Sequence, residues 1–202
     1  MSEQPNILHA DGFTYNATPS DIVQTLLTLT TPCTAVDVGA GAGRNVELLL
    51  QNGCAVTAVE CGRDSLSLLR EMSHQYPLLT VMENTLQELS TDTHYDAVLC
   101  TMTLHFLHAD EIDRAITTLQ SLVNTGGFVC LSSYIDCVEN ETLPESYTYL
   151  FPLAKLRQQF GGWKIHFYTE DYPVPSARVM NSGVNGGKGY KSARIVAQKL
   201  AP

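Results

Sequence analysis

Apolar residues recur at two different spacings along the first two thirds of the chain. Helical spacing predicts four helices, over residues 18–30, 44–53, 63–76 and 110–127. Short runs that are apolar throughout predict five strands, over residues 34–39, 55–60, 78–83, 95–102 and 128–134. The fourth helix is expected to take Asp110 as its N-cap and to end at Gly126 and Gly127. Continuously apolar strands that alternate with helices indicate a parallel sheet covered on both faces.

The C-terminal part of the chain lacks this alternation. Residues 163–172 and 192–200 each have the pattern of a strand, and the connector between them is rich in glycine and proline. Two strands joined without a helix most naturally pair antiparallel, which places them at the end of the sheet. No internal repeat or composition shift divides the chain, so we expect a single domain over residues 1–202.

Composition narrows the class of protein. With 202 residues, of which 44% are hydrophobic, the chain can bury a sizeable core. It has no run of eighteen apolar residues and no secretory signal, so we expect a cytoplasmic protein without a membrane span. The six cysteines form no Cys-x-x-Cys pair, which favours buried reduced thiols over disulfides or a metal site.

Charge is distributed unevenly. The net charge is −9, and residues 1–101 carry all of this excess, because the nine acidic and nine basic residues of the second half cancel. An acidic surface cannot replace the counterions of a nucleic acid, so we expect no nucleic-acid partner. The charge would suit a cationic ligand, although a solvated acidic face that keeps the protein soluble explains it equally well.

A glycine-rich turn carries the clearest chemical signal. In "AVDVGAGAGRN", residues 35–45, a strand leads through Gly39, Gly41 and Gly43 into a helix. Such turns hold ligands at the carboxyl ends of parallel strands. Asp37 would repel a pyrophosphate there but would attract an ammonium or sulfonium group, and S-adenosylmethionine carries both. The alternative is that Asp37 only accepts hydrogen bonds from neighbouring backbone N–H groups.

Two further polar residues end the next two strands. Glu60 follows Gly39 by twenty-one residues, a spacing at which an acid accepts hydrogen bonds from both hydroxyls of a ribose. NAD enzymes share this feature, so it indicates an adenosine-type nucleoside without choosing the cofactor. Asn84 could meet an adenine edge through its amide, which donates and accepts, but it could also be an ordinary asparagine in a surface turn.

Four segments, read in order, resemble the motifs of class I S-adenosylmethionine-dependent methyltransferases. They are "VDVGAGAG", "AVE", "YDAVLCTMTLHFL" and "LVNTGGFVCLSS", within residues 20–134. The resemblance implies an α/β fold of three layers, with a Rossmann-like seven-stranded, mostly parallel sheet, helices on both faces and an antiparallel last strand. It also implies S-adenosylmethionine as the cofactor, residues 1–30 as an arm and helix covering the cofactor crevice, and residues 135–202 as substrate-side elements and a strand hairpin.

Within that class, the chain is similar to the TehB-like tellurite-resistance methyltransferases. The shared segments are "GAGRN", "LVNTGG", "LRQQFGGWKI" and "SARVMNSGVNGGKGYKSARIVAQK". In that family a His-Arg pair in the late loop is thought to face the substrate. This chain has Ala177 and Arg178 at the aligned positions. The missing histidine puts the family's preferred acceptor, a chalcogen oxyanion, in doubt.

The resemblance assigns roles to individual residues. The implied cofactor contacts are Asp37, Gly39, Ala40, Gly41, Arg44, Glu60, Asn84, Thr85, Leu86, Cys100 and Thr101. His105 is the candidate general base if the acceptor is protonated, although it could equally be a packed histidine. The candidate substrate residues are Tyr15, Tyr134, Tyr147 and Arg178, and Arg178 is also a candidate catalytic residue. Residues 178–199 carry five cations without an acid, which fits either an anionic acceptor or a solvated basic edge strand.

Three functions therefore remain open at this stage. We favour a methyltransferase, monomeric or homodimeric, that acts on a small-molecule acceptor such as a chalcogen oxyanion or another soft or anionic nucleophile. A protein that binds S-adenosylmethionine without catalysis, for example a regulatory protein, is the alternative. An NAD-dependent oxidoreductase is less favoured because of Asp37 and the G-x-G-x-G spacing.

Overall fold

Seven strands form one sheet in the computed structural model, which describes residues 18–173 and 183–201. The strands are β1 Thr34–Val38, β2 Ala55–Glu60, β3 Leu79–Glu83, β4 Tyr95–Thr101, β5 Val123–Tyr134, β6 Lys164–Asp171 and β7 Ser192–Gln198. The α-helices within these residues are α1 Asp21–Leu29, α2 Arg44–Gln51, α3 Arg63–Gln75, α4 Ile112–Ser121 and α5 Lys155–Gln158. The alternation of helices and strands predicted from apolar spacing is therefore confirmed.

The strand order creates a crevice at the centre of the sheet. The order is β3-β2-β1-β4-β5-β7-β6, and β7 runs antiparallel to both of its neighbours while the other pairs are parallel. From β1 the chain winds to β2 and β3 on one side and then crosses to β4 on the other. Loops therefore diverge at the carboxyl ends of β1 and β4, which is where open α/β sheets bind ligands.

Helices cover both faces of the sheet. Helices α1, α2 and α3 bury Leu26, Leu49 and Leu69 in a core on one face. Helices α4 and α5 bury Ile116 and Leu156 in a second core on the opposite face. The predicted three-layer arrangement with an antiparallel last strand is confirmed.

The fourth helix is shorter than its sequence pattern predicted. It begins after Glu111 rather than Asp110 as N-cap, and it ends at Ser121 instead of continuing to residue 127. Strand β5 starts at Val123, five residues earlier than expected, because Val123 pairs with Tyr95. Residues 124–127 form a bulge in this strand, so Gly126 and its positive φ serve a strand irregularity and not a helix end.

The basic tail is not an edge strand. Strand β7 lies inside the sheet, between β5 and β6, and β6 forms the edge. Lys191 pairs with Glu139 at 2.6 Å. The Lys199 ammonium donates to two backbone carbonyl oxygens, one in the last turn of helix α4 and one just after that helix. These cations therefore connect elements of the fold.

All six cysteines are free thiols. Cys54, Cys100 and Cys130 are buried, whereas Cys33 and Cys61 are exposed. The expectation of buried thiols thus holds for only part of the set.

An ion pair connects the first turn of helix α1 to strand β7 of the sheet. Arg194, on β7, is only 6% exposed and pairs with Asp21 in the first turn of α1. A second guanidinium nitrogen of Arg194 donates to the carbonyl oxygen of Tyr172 at 3.0 Å. A buried guanidinium is costly unless such partners satisfy it.

We expect Asp21→Ala to lower the free energy of unfolding by about 3 kcal/mol, because the buried Arg194 loses its counter-ion. Urea denaturation of the two proteins measures the difference. Asp64→Ala is the matched control, since Asp64 is exposed in the first turn of helix α3 and its loss should cost less than about 1 kcal/mol. Equal losses in both variants would contradict the role assigned to the pair.

Candidate ligand-binding site

A cavity of about 910 Å³ opens at the carboxyl ends of the central strands. Its size is at the upper end of the range typical of small-molecule sites. Loops after β1, β2, β3, β4 and β5 form its walls. The lining residues are Val38, Gly39, Ala40, Gly41, Arg44, Asn45, Val59, Glu60, Cys61, Gly62, Asn84, Thr85, Leu86, Gln87, Thr101, Met102, Thr103, His105, Phe106, Leu107, Tyr134, Pro144, Ser146 and Tyr147.

The glycine turn borders one side of this cavity, where the backbone of Gly39 lies close to the side chain of Thr103. Gly39 has a φ of +73°, and a Cβ atom added there would lie 2.3 Å from the Thr103 hydroxyl oxygen. A side chain at this position would therefore push the turn after β1 away from the turn after β4. Thr103 follows Met102, whose φ of +57° is unusual for a residue other than glycine. Both turns are thus held in specific conformations where they border the cavity.

Glu60 lies on the cavity wall in a fixed orientation. One carboxylate oxygen accepts a hydrogen bond from the Gly41 N–H at 2.7 Å. The other accepts from the N–H groups of Cys61 and Gly62, at 2.9 and 2.8 Å. These three donors hold the carboxylate between the glycine turn and the start of helix α3.

Asp37 lies behind the cavity wall and not on it. Side chains alternate along a strand, so Asp37 points to the same face as Ala35, toward the layer of helices α1, α2 and α3. It is 1% exposed, and neither carboxylate oxygen has a hydrogen-bond partner within the described residues. The alternative that Asp37 serves neighbouring backbone N–H groups is therefore wrong.

The environment of Asp37 opposes its ionisation. Burial raises the pKa of the carboxyl from 3.8 to about 7. The nearby Arg44 guanidinium lowers this pKa and the Glu60 carboxylate raises it, but both effects are smaller than that of burial. A further positive charge near this buried carboxyl group would therefore stabilise its ionised form.

Asn45 is a site residue that the sequence did not single out. It is 2% exposed in the first turn of α2 and also lines the cavity. Its amide donates to the Thr101 hydroxyl at 2.9 Å, and its carbonyl oxygen accepts from the Ser20 N–H at 2.9 Å. It therefore connects helix α1, helix α2 and strand β4. The sequence pattern that could have identified Asn45 is its position on the apolar side of the helix, four residues before Leu49, where a polar residue is unexpected.

Among the predicted cofactor contacts that follow β3 and β4, some line the cavity and one does not. Asn84, Thr85 and Leu86 line the cavity, and the turn they form is closed by two hydrogen bonds from Thr85 to the Glu88 carboxylate. Thr101 also lines the cavity. Cys100 does not, because it is fully buried in the core on the face of helix α4.

Four rings form one side of the cavity, which we call the aromatic wall: His105, Phe106, Tyr134 and Tyr147. The His105 ring centroid lies 4.3 Å from those of Phe106 and Tyr147 and 4.9 Å from that of Tyr134. Tyr134 and Tyr147 are stacked, with an angle of 16° between their planes. The sequence predicted three of these residues but not that they pack together.

The aromatic wall keeps its histidine uncharged. His105 is 2% exposed, and its Nδ1 atom has no hydrogen-bond partner within the described residues. Burial lowers the pKa of His105 to about 3. Burial likewise raises the pKa of the Tyr134 hydroxyl, which stays protonated at neutral pH. Burial at the aromatic wall therefore keeps both of these side chains uncharged.

Some predicted site residues lie outside the described part of the chain, and one predicted element does not line the cavity. Tyr15 and Arg178, with Ala177, lie outside the described residues. Helix α1 was expected to cover the crevice, but its apolar face packs on the sheet, and none of its residues lines the cavity. Its N-terminal end reaches the cavity only through the hydrogen bond between Ser20 and Asn45. Across the described part of the chain, no helix combines the length and apolar character that crossing a membrane requires.

Comparison with solved structures supports the fold. The chain superposes on the crystal structure of TehB from Haemophilus influenzae with a TM-score of 0.74 and 22% identity, over 88% of this chain and 61% of that one. It also superposes on 1,6-didemethyltoxoflavin-N1-methyltransferase from Burkholderia thailandensis with a TM-score of 0.70 and 18% identity, over 89% and 77% of the two chains. Both are likenesses of fold.

Comparison of sequences identifies the family. The chain is 23% identical over 141 residues to a protein of Haemophilus influenzae strain 10810 named "Probable S-adenosyl-L-methionine-dependent methyltransferase TehB". That match covers 69% of this chain and 49% of the relative, so the chain spans about half the length of the curated relatives it matches. The family model described as tellurite resistance protein TehB matches residues 3–176. With most of its length matched by that model, the chain belongs to the TehB family.

Proposed function

We propose that this protein is an S-adenosylmethionine-dependent methyltransferase that acts on a small-molecule acceptor. The observation that carries the proposal is the fixed Glu60 carboxylate in a cavity bounded by the glycine turn, at the switch point of the sheet. Membership of the TehB family supports it, as do relatives whose names describe S-adenosylmethionine-dependent methyltransferases.

The residues present fit the cofactor's adenosine half. Glu60 can accept hydrogen bonds from ribose hydroxyls, because a carboxylate offers about four acceptor positions and three backbone N–H groups use only part of them. Asn84 and Thr85 provide polar groups beside Leu86 for the edge and face of a purine. Gly39, Ala40 and Gly41 present backbone to the cavity between Glu60 and Thr103.

The methionine half fits the charge distribution of the site. Asp37 does not touch the cavity, but a carboxylate buried in a medium of low polarity acts on charges beyond contact distance. An ammonium group near Gly39 would compensate a carboxyl that has no hydrogen-bond partner within the described residues. Arg44, which lines the cavity next to these glycines, suits a carboxylate of the ligand.

The chain's own contribution to the reaction is positioning. When bound, S-adenosylmethionine supplies a methyl group on a positively charged sulfur. Glu60 and the glycine turn hold the nucleoside side, and the aromatic wall faces the same cavity. Holding two reactants in line can supply on the order of 7–11 kcal/mol of the barrier. His105 would act as a weak proton acceptor, since its pKa is about 3.

A small acceptor agrees with the dimensions of the cavity. Its volume of about 910 Å³ must hold both cofactor and acceptor. The relative from Burkholderia thailandensis was crystallised with 1,6-didemethyltoxoflavin and S-adenosylhomocysteine, which is a precedent for two small molecules in this fold.

We expect Glu60→Ala to weaken binding of S-adenosylhomocysteine by roughly tenfold to a hundredfold, because the net loss of one hydrogen bond to a charged acceptor costs about 1.5–3 kcal/mol. Titration calorimetry with S-adenosylmethionine, S-adenosylhomocysteine and NAD, each added to wild type and variant, measures the effect. Thermal unfolding of both proteins verifies that the variant is folded.

Glu83→Ala provides the matched control for this experiment. Glu83 ends the neighbouring strand in register with Glu60, but it is exposed and pairs with Arg70 outside the cavity. Its loss should leave the affinity for S-adenosylhomocysteine within twofold. Binding of NAD without either methionine derivative would overturn the proposal in favour of an oxidoreductase.

Asp37→Asn should stabilise the ligand-free protein at pH 8 more than at pH 5. The folded chain binds a proton at Asp37 up to a pKa of about 7, whereas the unfolded chain releases it near 3.8. The free energy of unfolding of the wild type therefore falls as the pH rises from about 4 to 7, and Asn removes this loss. Urea denaturation at both pH values tests the prediction, and an equal effect at pH 5 and pH 8 would contradict it.

The same variant should bind S-adenosylmethionine about tenfold more weakly at pH 8, because the buried negative charge is gone. Adenosine is the control ligand, since it lacks the ammonium and sulfonium groups. Its affinity should not change. An equal loss for both ligands would mean that Asp37 acts through the shape of the turn instead of through its charge.

A further inference from the structure

We propose that the methyl acceptor is an uncharged heteroaromatic nitrogen base that stacks on the aromatic wall. This inference rests on the proposed function and names the acceptor class for the same cavity. It departs from the chalcogen oxyanions that the family resemblance suggested.

The geometry of the wall favours a flat ligand. Phe106 is 54% exposed although it is a large apolar side chain, and it lines the cavity. Its ring meets the edge of Tyr147 at 5.2 Å with an angle of 89° between the planes. An exposed apolar ring beside a stacked tyrosine pair offers a surface on which another planar ring can pack in offset or edge-to-face geometry.

The charges around the cavity disfavour an anion. Among the described lining residues, the charged side chains are Glu60 and Arg44, whose charges have opposite sign, and only the Arg44 charge reaches the aromatic wall, at Tyr134. Arg44 lies close enough to the buried Asp37 for the two to interact electrostatically. The burial that keeps His105 uncharged would also oppose desolvation of an oxyanion at this wall.

The chemistry of the wall favours an acceptor with its own free lone pair. A thiol or hydroxyl must lose a proton before or during attack, and the base nearest to the wall's centre, His105, is weak. A pyridine-type ring nitrogen, such as that of quinoline, has an electron pair in the ring plane that is available at neutral pH. That pair forms the nitrogen–carbon bond as the carbon–sulfur bond breaks and its electrons stay on sulfur. The positive charge passes from the sulfonium to the methylated ring, so no proton or other reactant is needed.

Quinoline is a suitable probe, and titration calorimetry on the full chain saturated with S-adenosylhomocysteine measures its binding. We expect quinoline to bind more tightly than selenite and more tightly than quinoline-2-carboxylate, which has the same ring with a negative charge. Tyr147→Leu should weaken quinoline binding about tenfold, the effect typical of losing one stacking partner. Tyr147→Phe, which keeps the ring, should bind quinoline within threefold of wild type.

Tyr76→Leu is the matched control, since Tyr76 is an aromatic residue at the end of helix α3 and does not line the cavity. It should leave quinoline affinity unchanged. Three results would overturn the inference: no quinoline binding to the saturated protein, equal binding by wild type and Tyr147→Leu, or tighter binding of selenite. Failure of S-adenosylhomocysteine itself to bind would instead overturn the proposed function on which the inference rests.

Discussion

The close approach of Gly39 to Thr103 is the contact on which the site depends. The two residues follow neighbouring strands of the sheet, and the absent Cβ at Gly39 lets one turn lie directly against the other. A larger residue would separate the turns after β1 and β4, and both border the cavity. The same glycine turn contributes the Gly41 N–H that orients Glu60, which ends β2. The contact between Gly39 and Thr103 and the hydrogen bond between Gly41 and Glu60 thus connect three strand ends, each of which contributes groups to the cavity.

Electrostatics divides the cavity into two regions. The glycine side is close to Asp37, Glu60 and Arg44, so charges and fixed backbone dipoles dominate there. The aromatic wall is a second part of the lining, where burial keeps His105 neutral and the Tyr134 hydroxyl protonated. In the proposed reaction, a charged cofactor would suit the first region and an uncharged acceptor the second.

The fold could be predicted almost completely from the apolar pattern. Continuous apolar runs and helical spacing each favour one local structure, and the tertiary contacts of the fold favour the same structure. The error at helix α4 came from Gly126 and Gly127, whose bulge depends on pairing with β4 and β7 and so is not a local property. Glycine and acid spacing after β1 and β2 predicted residues that line the cavity, for the same local reasons. The direction of the Asp37 side chain followed from strand alternation and could have been foreseen. The aromatic wall could not, since Tyr147 reaches His105 from a loop whose path no periodicity encodes.

The pairing of Asp21 with Arg194 has a consequence for the order of folding. The two residues are 173 positions apart, and strand β7 lies inside the sheet between β5 and β6. At a synthesis rate of roughly 5–20 residues per second, the first turn of helix α1 leaves the ribosome about 10 to 30 seconds before its counter-ion does. During that interval the apolar face of α1 lacks part of the surface that it finally covers. Helix α1 therefore cannot complete this ion pair, or cover strand β7, until the C-terminal strand has been made.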